Sequence, residues 1–283
     1  MIGAAVKKAT WPGLLRGLAG ACHPLPSMAV TVVAVLLGVG AGLDGPGLVL
    51  LGAAVLTGQL SIGWSNDWVD AARDRATGRV DKPAAAGRVP VRAVAVAAVA
   101  ASVATVVLSL LLGWLAGVAL LLGVAAGWAY NLGLKATIWS GATYLFAFAA
   151  LPVGVYAAAP GEPWPPWWVP VVSALLGFGA HFANVLPDLR ADAETGVRGL
   201  PHRLGPRNGV LVMAAALATA SVTLGLAPDG ASVRYTVTVV TAGIVLVAAT
   251  AVAAVLAPRS PLAFRLTVAL AVLDVVLLIA VTI

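Results

Sequence analysis

Residues 91–112 read VRAVAVAAVAASVATVVLSLLL. After Arg92 the run carries no charge, and its length matches the roughly 20 apolar residues that a helix needs to cross the hydrocarbon core of a bilayer. Backbone amides in that medium find no water, so they must be satisfied within a helix or around a closed barrel. Barrel strands are about 10 residues long and alternate lumen-facing with lipid-facing residues. This run is twice that length and does not alternate, so it reads as a membrane-spanning helix.

Similar runs fill the rest of the chain. Spans are expected at about 25–43, 46–65, 91–112, 114–130, 139–158, 167–186, 207–227, 234–257 and 261–282. The fold class is therefore all-α: a polytopic membrane protein with a bundle of about nine transmembrane helices, read as a single domain over residues 1–283. Composition agrees. The chain is 61% hydrophobic and 10% charged, with a mean hydropathy of +1.00, whereas about a quarter of the residues of a soluble domain are charged. The single cysteine, Cys22, excludes an internal disulfide framework and a cysteine metal centre. No cleavable signal peptide is expected, because the first long apolar run begins only after Pro26 and lacks a cleavage site.

Two connections are long and polar, 66–90 and 187–206, and they carry the same spacing twice. The first copy is Asn66-x3-Asp70-x3-Asp74-x3-Gly78, and the second is Asn184-x3-Asp188-x3-Asp192-x3-Gly196. Of the 11 acidic residues, Asp67, Asp70, Asp74, Asp81, Asp188, Asp192 and Glu194 all lie in these stretches. The spans 91–112, 114–130, 139–158 and 167–186 separate the copies, an even number, so both lie on one side of the membrane. Of the 17 Lys and Arg residues, only Arg234 falls on the opposite side. Short cytoplasmic loops carry the Lys/Arg excess, so the motifs are expected to face the cytoplasm of a cell (plasma) membrane. The net charge of +6 then reflects topology, anionic head groups and an anionic substrate. No nucleic-acid partner is expected. On the other side, Trp164, Pro165, Pro166, Trp167 and Trp168 read as an interfacial anchor.

Four residues advance a helix by about 400°, so Asn66, Asp70 and Asp74 drift only about 40° per step and share a face. Asp67 borders that face. Asn184, Asp188 and Asp192 do the same if the helix continues past Pro187; the proline could instead break it and bend the chain. Carboxylates roughly 6 Å apart along a face suit Mg²⁺, which takes one or two carboxylates and leaves its other positions to water and phosphate oxygens. Arg73, Arg79, Lys82, Arg190 and Arg198, with Lys135 in the loop after Tyr130, could neutralise a polyphosphate held between two such faces.

Asn66-Asp67-x2-Asp70-x3-Asp74, followed by Lys82-Pro83 and Gly87, resembles the first aspartate-rich motif of the UbiA superfamily of intramembrane prenyltransferases. Asp188-x3-Asp192-x3-Gly196, followed by Leu200-Pro201 and Gly205, resembles the second, and Tyr130-x4-Lys135 the loop between them. The resemblance covers nearly the whole chain. It implies a helix bundle around a central cavity open sideways to lipid, and Mg²⁺-dependent ionisation of a prenyl diphosphate to an allylic cation that a lipophilic or aromatic acceptor captures. It also implies that Asn66, Asp67, Asp70, Asp74, Asp188 and Asp192 hold the metal and diphosphate, with Asp70, Asp74, Asp188 and Asp192 central to catalysis. Arg79, Lys82, Tyr130, Lys135 and Arg190 are then the expected diphosphate contacts. Many relatives have Arg-Pro where this chain has Lys82-Pro83; lysine keeps the charge and loses the bidentate fork.

His181 and Asn184 lie seven and four residues before Asp188 and are expected on the same face, the acceptor side of the cavity. Asp274, a carboxyl inside the last span, is expected to make a helix–helix hydrogen bond, and His23 alone carries no signal. The acidic motifs do not distinguish acceptor prenylation from a membrane terpene cyclase, in which the cation is captured by the chain's own double bonds. A cation transporter fits less well, because transporters place ion sites near the midplane and these motifs sit at helix ends.

Overall fold

A computed structural model describes residues 11–282, and among these no strand occurs. Lys7 and Lys8, assigned above to the basic side, lie outside the described residues. The helices are α1 (Trp11–Ala21), α2 (Pro24–Gly40), α3 (Gly45–Val69), α4 (Ala71–Ala76), α5 (Val91–Leu111), α6 (Trp114–Leu132), α7 (Ser140–Ala157), α8 (Trp168–Val185), α9 (Leu189–Glu194), α10 (Leu200–Leu226), α11 (Val233–Leu256) and α12 (Leu262–Thr282). Short 3₁₀ turns at Leu134–Ala136 and Leu186–Asp188 complete the order.

Among the described residues, 8 helices are long and apolar enough to cross a membrane, or 9 spans if α1 and α2, bent by 66° at their break, count as one. The bend was not foreseen. It sits at His23, whose φ of 53° is in the left-handed region, a costly conformation for a residue with a side chain. Pro24 then opens α2 at a position where its missing N–H is no loss. The short α1 is tied back to α3 by Trp64 Nε1, which donates to the carbonyl of Leu18 at 2.8 Å. Other boundaries move for local reasons. The third helix runs on to Val69, so Asn66 and Asp67 stand on a spanning helix. The tenth begins at Leu200 and kinks at Gly205, just before Pro206.

Around the bundle the packing order is α2, α3, α5, α6, α7, α8, α10, α11, α12, with α12 closing against α2. Its outer surface is apolar: Val96, Val103, Leu111 and Val245 are all exposed, which suits lipid and not water. Inside lies a cavity of about 280 Å³ lined by residues of α2, α3, α5, α6, α7, α8 and α12. No residue of α10 or α11 lines it. These two helices form an outer buttress, with Met213, Leu217 and Leu224 of α10 buried against Phe182 of α8 and its neighbours.

Close helix approach depends on small residues. At Gly63 an added Cβ would overlap the backbone carbonyl of Cys22, with the carbonyl carbon only 2.7 Å away, and backbone cannot swing aside. Gly63→Ala should therefore cost about 1–3 kcal/mol, the usual range for overpacking. The check is a lowered thermal midpoint of the purified protein in detergent, against an unchanged one for Gly45→Ala, where the added atom meets nothing within 4 Å.

Candidate active site

Both acidic motifs reach the same end of the bundle, each by a helix followed by a short helix. In the first, the Asp70 N–H donates to the Asn66 carbonyl (3.0 Å) and the Asp74 N–H to the Asp70 carbonyl (2.8 Å). Helical bonding thus carries across the junction of α3 and α4, and the spacing of four keeps its face. In the second, Pro187 does break the helix: a 3₁₀ turn, Leu186–Asp188, intervenes before α9.

The two short helices end alike. Gly78 (φ 68°) and Gly196 (φ 83°) adopt the left-handed conformation, which glycine takes without side-chain strain. Gly78 N–H donates to Arg75 O and Arg79 N–H to Asp74 O (3.2 and 2.9 Å); Gly196 N–H and Val197 N–H repeat the pattern to Ala193 O and Asp192 O (3.2 and 3.0 Å). This is the paired closure of a Schellman motif. Thr77 and Thr195 hydroxyls donate back to the Asp74 and Asp192 carbonyls. The full repeat is thus Asp-x2-Thr-Gly. The threonine was legible in the sequence and passed over.

Asp70 is the centre of the first motif. It is 5% exposed, and Lys135 Nζ lies 2.5 Å from both of its oxygens. Arg73 Nη2 donates at 2.9 Å and Asn66 Nδ2 at 3.1 Å. Asn66 in turn bonds Asn131 Oδ1 (3.2 Å) and accepts from Lys82 Nζ (2.9 Å). Asn131 is locked by the Ile62 carbonyl and Ser65 Oγ, both at 2.8 Å. Lys82 Nζ also donates to His23 Nε2 (3.0 Å), which places the bend between α1 and α2 at the site. Burial lowers the Lys135 ammonium from its ordinary value, with Asp70 opposing. Asp74 is 4% exposed; burial raises its carboxyl, and Oδ2 has no hydrogen-bond partner among the described residues.

A second group joins the motifs. Arg79 grips Asp81 through two bonds of 2.9 Å and reaches Asp188 Oδ2 at 3.4 Å. The Asp81 contact holds the guanidinium above its ordinary value and the Asp81 carboxyl below its own. Asp192 lies 3.7 Å from the buried ring of His202.

Not every expected residue is brought in. Arg190 is 89% exposed and, among the described residues, its ion pair is with Glu194 on its own helix (3.6 Å), so it stands outside the group. His181 is 1% exposed and is not on the cavity wall. It sits behind Tyr130 and Tyr144, with ring centroids 5.7 and 4.7 Å away. The Ser140 hydroxyl accepts from Leu200 N–H (2.9 Å) and hydrogen-bonds with His181 Nε2 (3.1 Å), which clamps α7, α8 and α10 together. Asn184 and Tyr130 do line the cavity. Asp67 Oδ2 accepts from the Ala84 N–H (3.0 Å) and so anchors the loop after α4, while its Oδ1 is buried without a partner among the described residues. Asn131, His23 and His202 were missed, since one polar residue beside a span makes no pattern.

With cations standing on the carboxylates, no three acidic, His or Cys side chains converge to hold an ion by themselves among the described residues. The arrangement is an alternating cluster of Asp, Lys and Arg at the mouth of an apolar cavity. Residues 27–273 match the model of the UbiA prenyltransferase family. The chain belongs to that family. Curated relatives include the bacteriochlorophyll synthase 33 kDa chain of Cereibacter sphaeroides, 34% identical over 189 residues (62% of this chain, 61% of that one). The Rhodobacter capsulatus counterpart is 33% identical over 180 residues (58% and 57%). The chain thus matches less than two thirds of the length of these relatives. Among solved structures, the apo UbiA homologue from Aeropyrum pernix K1 has a TM-score of 0.73 at 19% identity, covering 89% of this chain and 97% of its own. The UbiA homologue from Archaeoglobus fulgidus bound to GPP and Mg²⁺ has a TM-score of 0.71 at 14% identity, covering 94% and 99%. At such identities the likeness establishes the fold, a UbiA-type multi-pass membrane bundle.

The Asp67 anchor yields a test of the loop that carries Arg79 and Lys82. Asp67→Ala leaves the Ala84 N–H buried and unsatisfied, a loss of about 1–3 kcal/mol. Hydrogen exchange should speed up in residues 79–90 and stay unchanged in α10 and α11.

Proposed function

We propose that this chain transfers a prenyl group from a prenyl diphosphate to a lipophilic or aromatic acceptor inside the membrane, in a Mg²⁺-dependent reaction. One observation carries the reading: two acidic strips and four cations meet at the mouth of an apolar cavity, with Arg79 of the first strip's loop on Asp188 of the second. A charged head and a greasy tail on one molecule fit that juxtaposition.

The residues fit the metal. Asp74 Oδ2 is buried and has no partner among the described residues, and a donor set of Asn and Asp oxygens suits a hard cation such as Mg²⁺. Asn66, Asp70 and Asp74 on one side, with Asp188 and Asp192 on the other, would hold it. When bound, Mg²⁺ supplies neutralising charge for the leaving diphosphate. Asp67 keeps its role as the loop anchor.

The chain's own cations do the rest. Lys135 and Arg73 now compensate Asp70, while Lys82 and Arg79 reach the mouth from the loop after α4. Placed ahead of the reaction, such groups stabilise charge where it develops with little reorganisation. The carbon–oxygen bond breaks, the diphosphate keeps the electron pair, and an allylic cation remains on the tail. Tyr130, Tyr144 and Phe148 line the adjoining wall, and aromatic rings attract a cation held near them. The acceptor nucleophile then bonds to the cationic carbon and loses a proton. We read this mouth as facing the cytoplasm of the cell membrane, a reading that the Lys/Arg excess supports, with Arg234 at the far end of the bundle.

Protein in lipid nanodiscs, given geranyl, farnesyl or geranylgeranyl diphosphate, should release diphosphate only with Mg²⁺ and stop on adding EDTA. The acceptor panel comprises aromatic acids, quinone precursors, lipid glycerols and tetrapyrroles, with products identified by mass spectrometry. Asp70→Ala should lower turnover by roughly 100-fold or more, whereas Arg190→Ala should stay within about twofold, as befits an exposed pair. Terpene hydrocarbon or alcohol formed from the diphosphate alone would replace acceptor transfer with cyclisation.

A further inference from the structure

Asp274, in the middle of α12, takes no part in the site above. It is 2% exposed, and neither carboxyl oxygen has a hydrogen-bond partner among the described residues. The helix–helix hydrogen bond expected from the sequence is not formed. A carboxyl left unpaired within a spanning helix is expensive and points to a function.

Its surroundings give that function a location. A small void of about 20 Å³ lies against Asp274, walled by Leu37, Trp168, Ser173, Leu176 and Val275 with their neighbours. Ser173, Leu176 and Val275 also line the large cavity. One layer of side chains therefore separates the two spaces. The large cavity begins among Asn66, Tyr130 and Asn184 at the motif end. It follows a stripe of α12 through Phe264, Val268 and Ala271 to Val275, roughly 16 Å along the helix. A tail whose diphosphate is held at the motif end points its terminus at this partition.

We infer that Asp274, behind the Ser173–Leu176–Val275 partition, sets the longest prenyl tail the cavity accepts. The inference rests on the prenyl-transfer reading above. A void of that size has room for a water molecule, which would satisfy the carboxyl, and none for an isoprene unit. A tail that ends at the partition leaves this arrangement alone. A longer tail must displace Leu176 or Val275 and lay methyl groups against the carboxyl, removing the space in which water could satisfy it. The carboxyl thus acts as a polar stop: it touches no reacting atom and discriminates by what it refuses.

The test is the ratio of kcat/KM for each prenyl diphosphate to that of the length the wild type prefers, across the geranyl, farnesyl and geranylgeranyl series in nanodiscs. Asp274→Ala should raise the ratio for the next longer tail by roughly tenfold. Asp274→Asn, equal in size and equally in need of hydrogen bonds, should leave the preference within about twofold of wild type. If Asp274→Ala does not fold, Asp274→Val carries the same readout, since it also removes the polar group. Equal shifts in the Asn and Ala variants would overturn the inference, and so would an equal loss at every length. Wild type that turns over no prenyl diphosphate would defeat the prenyl-transfer reading instead, before any variant is compared.

Discussion

Asp70 is a carboxylate taken almost wholly out of water, and the motif end of the bundle is organised by its need for partners. Lys135 comes from the turn after α6, Arg73 from α4 and Asn66 from α3. Each of those donors is itself placed by another element. Asn66 is oriented by Asn131 and Lys82, and Lys82 by the loop that Asp67 anchors. Breaking a buried ion pair from one side costs about 3–5 kcal/mol because the remaining charge is left uncompensated. The cluster therefore holds four segments in register, with its cations already in place beside the carboxylates.

The repeat shows how a short sequence pattern builds such a place twice. Each copy ends a spanning helix, adds about one and a half turns, and closes with Thr-Gly so that the orphan carbonyls are satisfied. The closing glycine sets where the short helix stops, and the last aspartate lies one turn before it. The two copies differ at Pro187, where the second helix breaks into a 3₁₀ turn before α9. The result is one strip that stays buried, with Asp74 at 4% exposure, and another that is more open, with the Asp188 side chain at 45%.

Much of this was legible in the sequence, for a physical reason. Lipid makes every span declare itself through about 20 consecutive apolar residues, so span number, order and the shared end of the motifs could be read directly. Spacing also separates two arginines that composition treats alike. Arg73 follows Asp70 by three residues and shares its face, whereas Arg190 sits two from both Asp188 and Asp192 and points the other way. What could not be read was which spans wall the cavity. All four of α7, α8, α10 and α11 are long and apolar enough to cross a membrane, and only long-range packing assigns α10 and α11 to the outer layer. Single polar residues such as Asn131 and His202 escape for the same reason, because their partners are distant in the chain.

An apolar cavity in a helical bundle has a further requirement: its walls must not collapse into it. Polar side chains supply the struts, and several turn toward neighbouring helices. Trp128 Nε1 donates to Ser61 Oγ (3.2 Å), Thr105 Oγ1 to Thr57 Oγ1 (3.1 Å), and Asn131 Nδ2 to Ser65 Oγ. His181, Ser140 and Leu200 form a three-helix clamp on the opposite wall. In a medium without water each such group would be costly if left alone, so the bonds that hold the walls apart also spare the lumen most of its polar atoms. His181 thus supports the cavity wall from behind, buried beside the rings of Tyr130 and Tyr144. The space left inside is polar where Asn66, Asn131 and Asn184 line it and mostly apolar beyond, along Val33, Val55, Leu120 and Val268, so its polarity falls from the motif end inward.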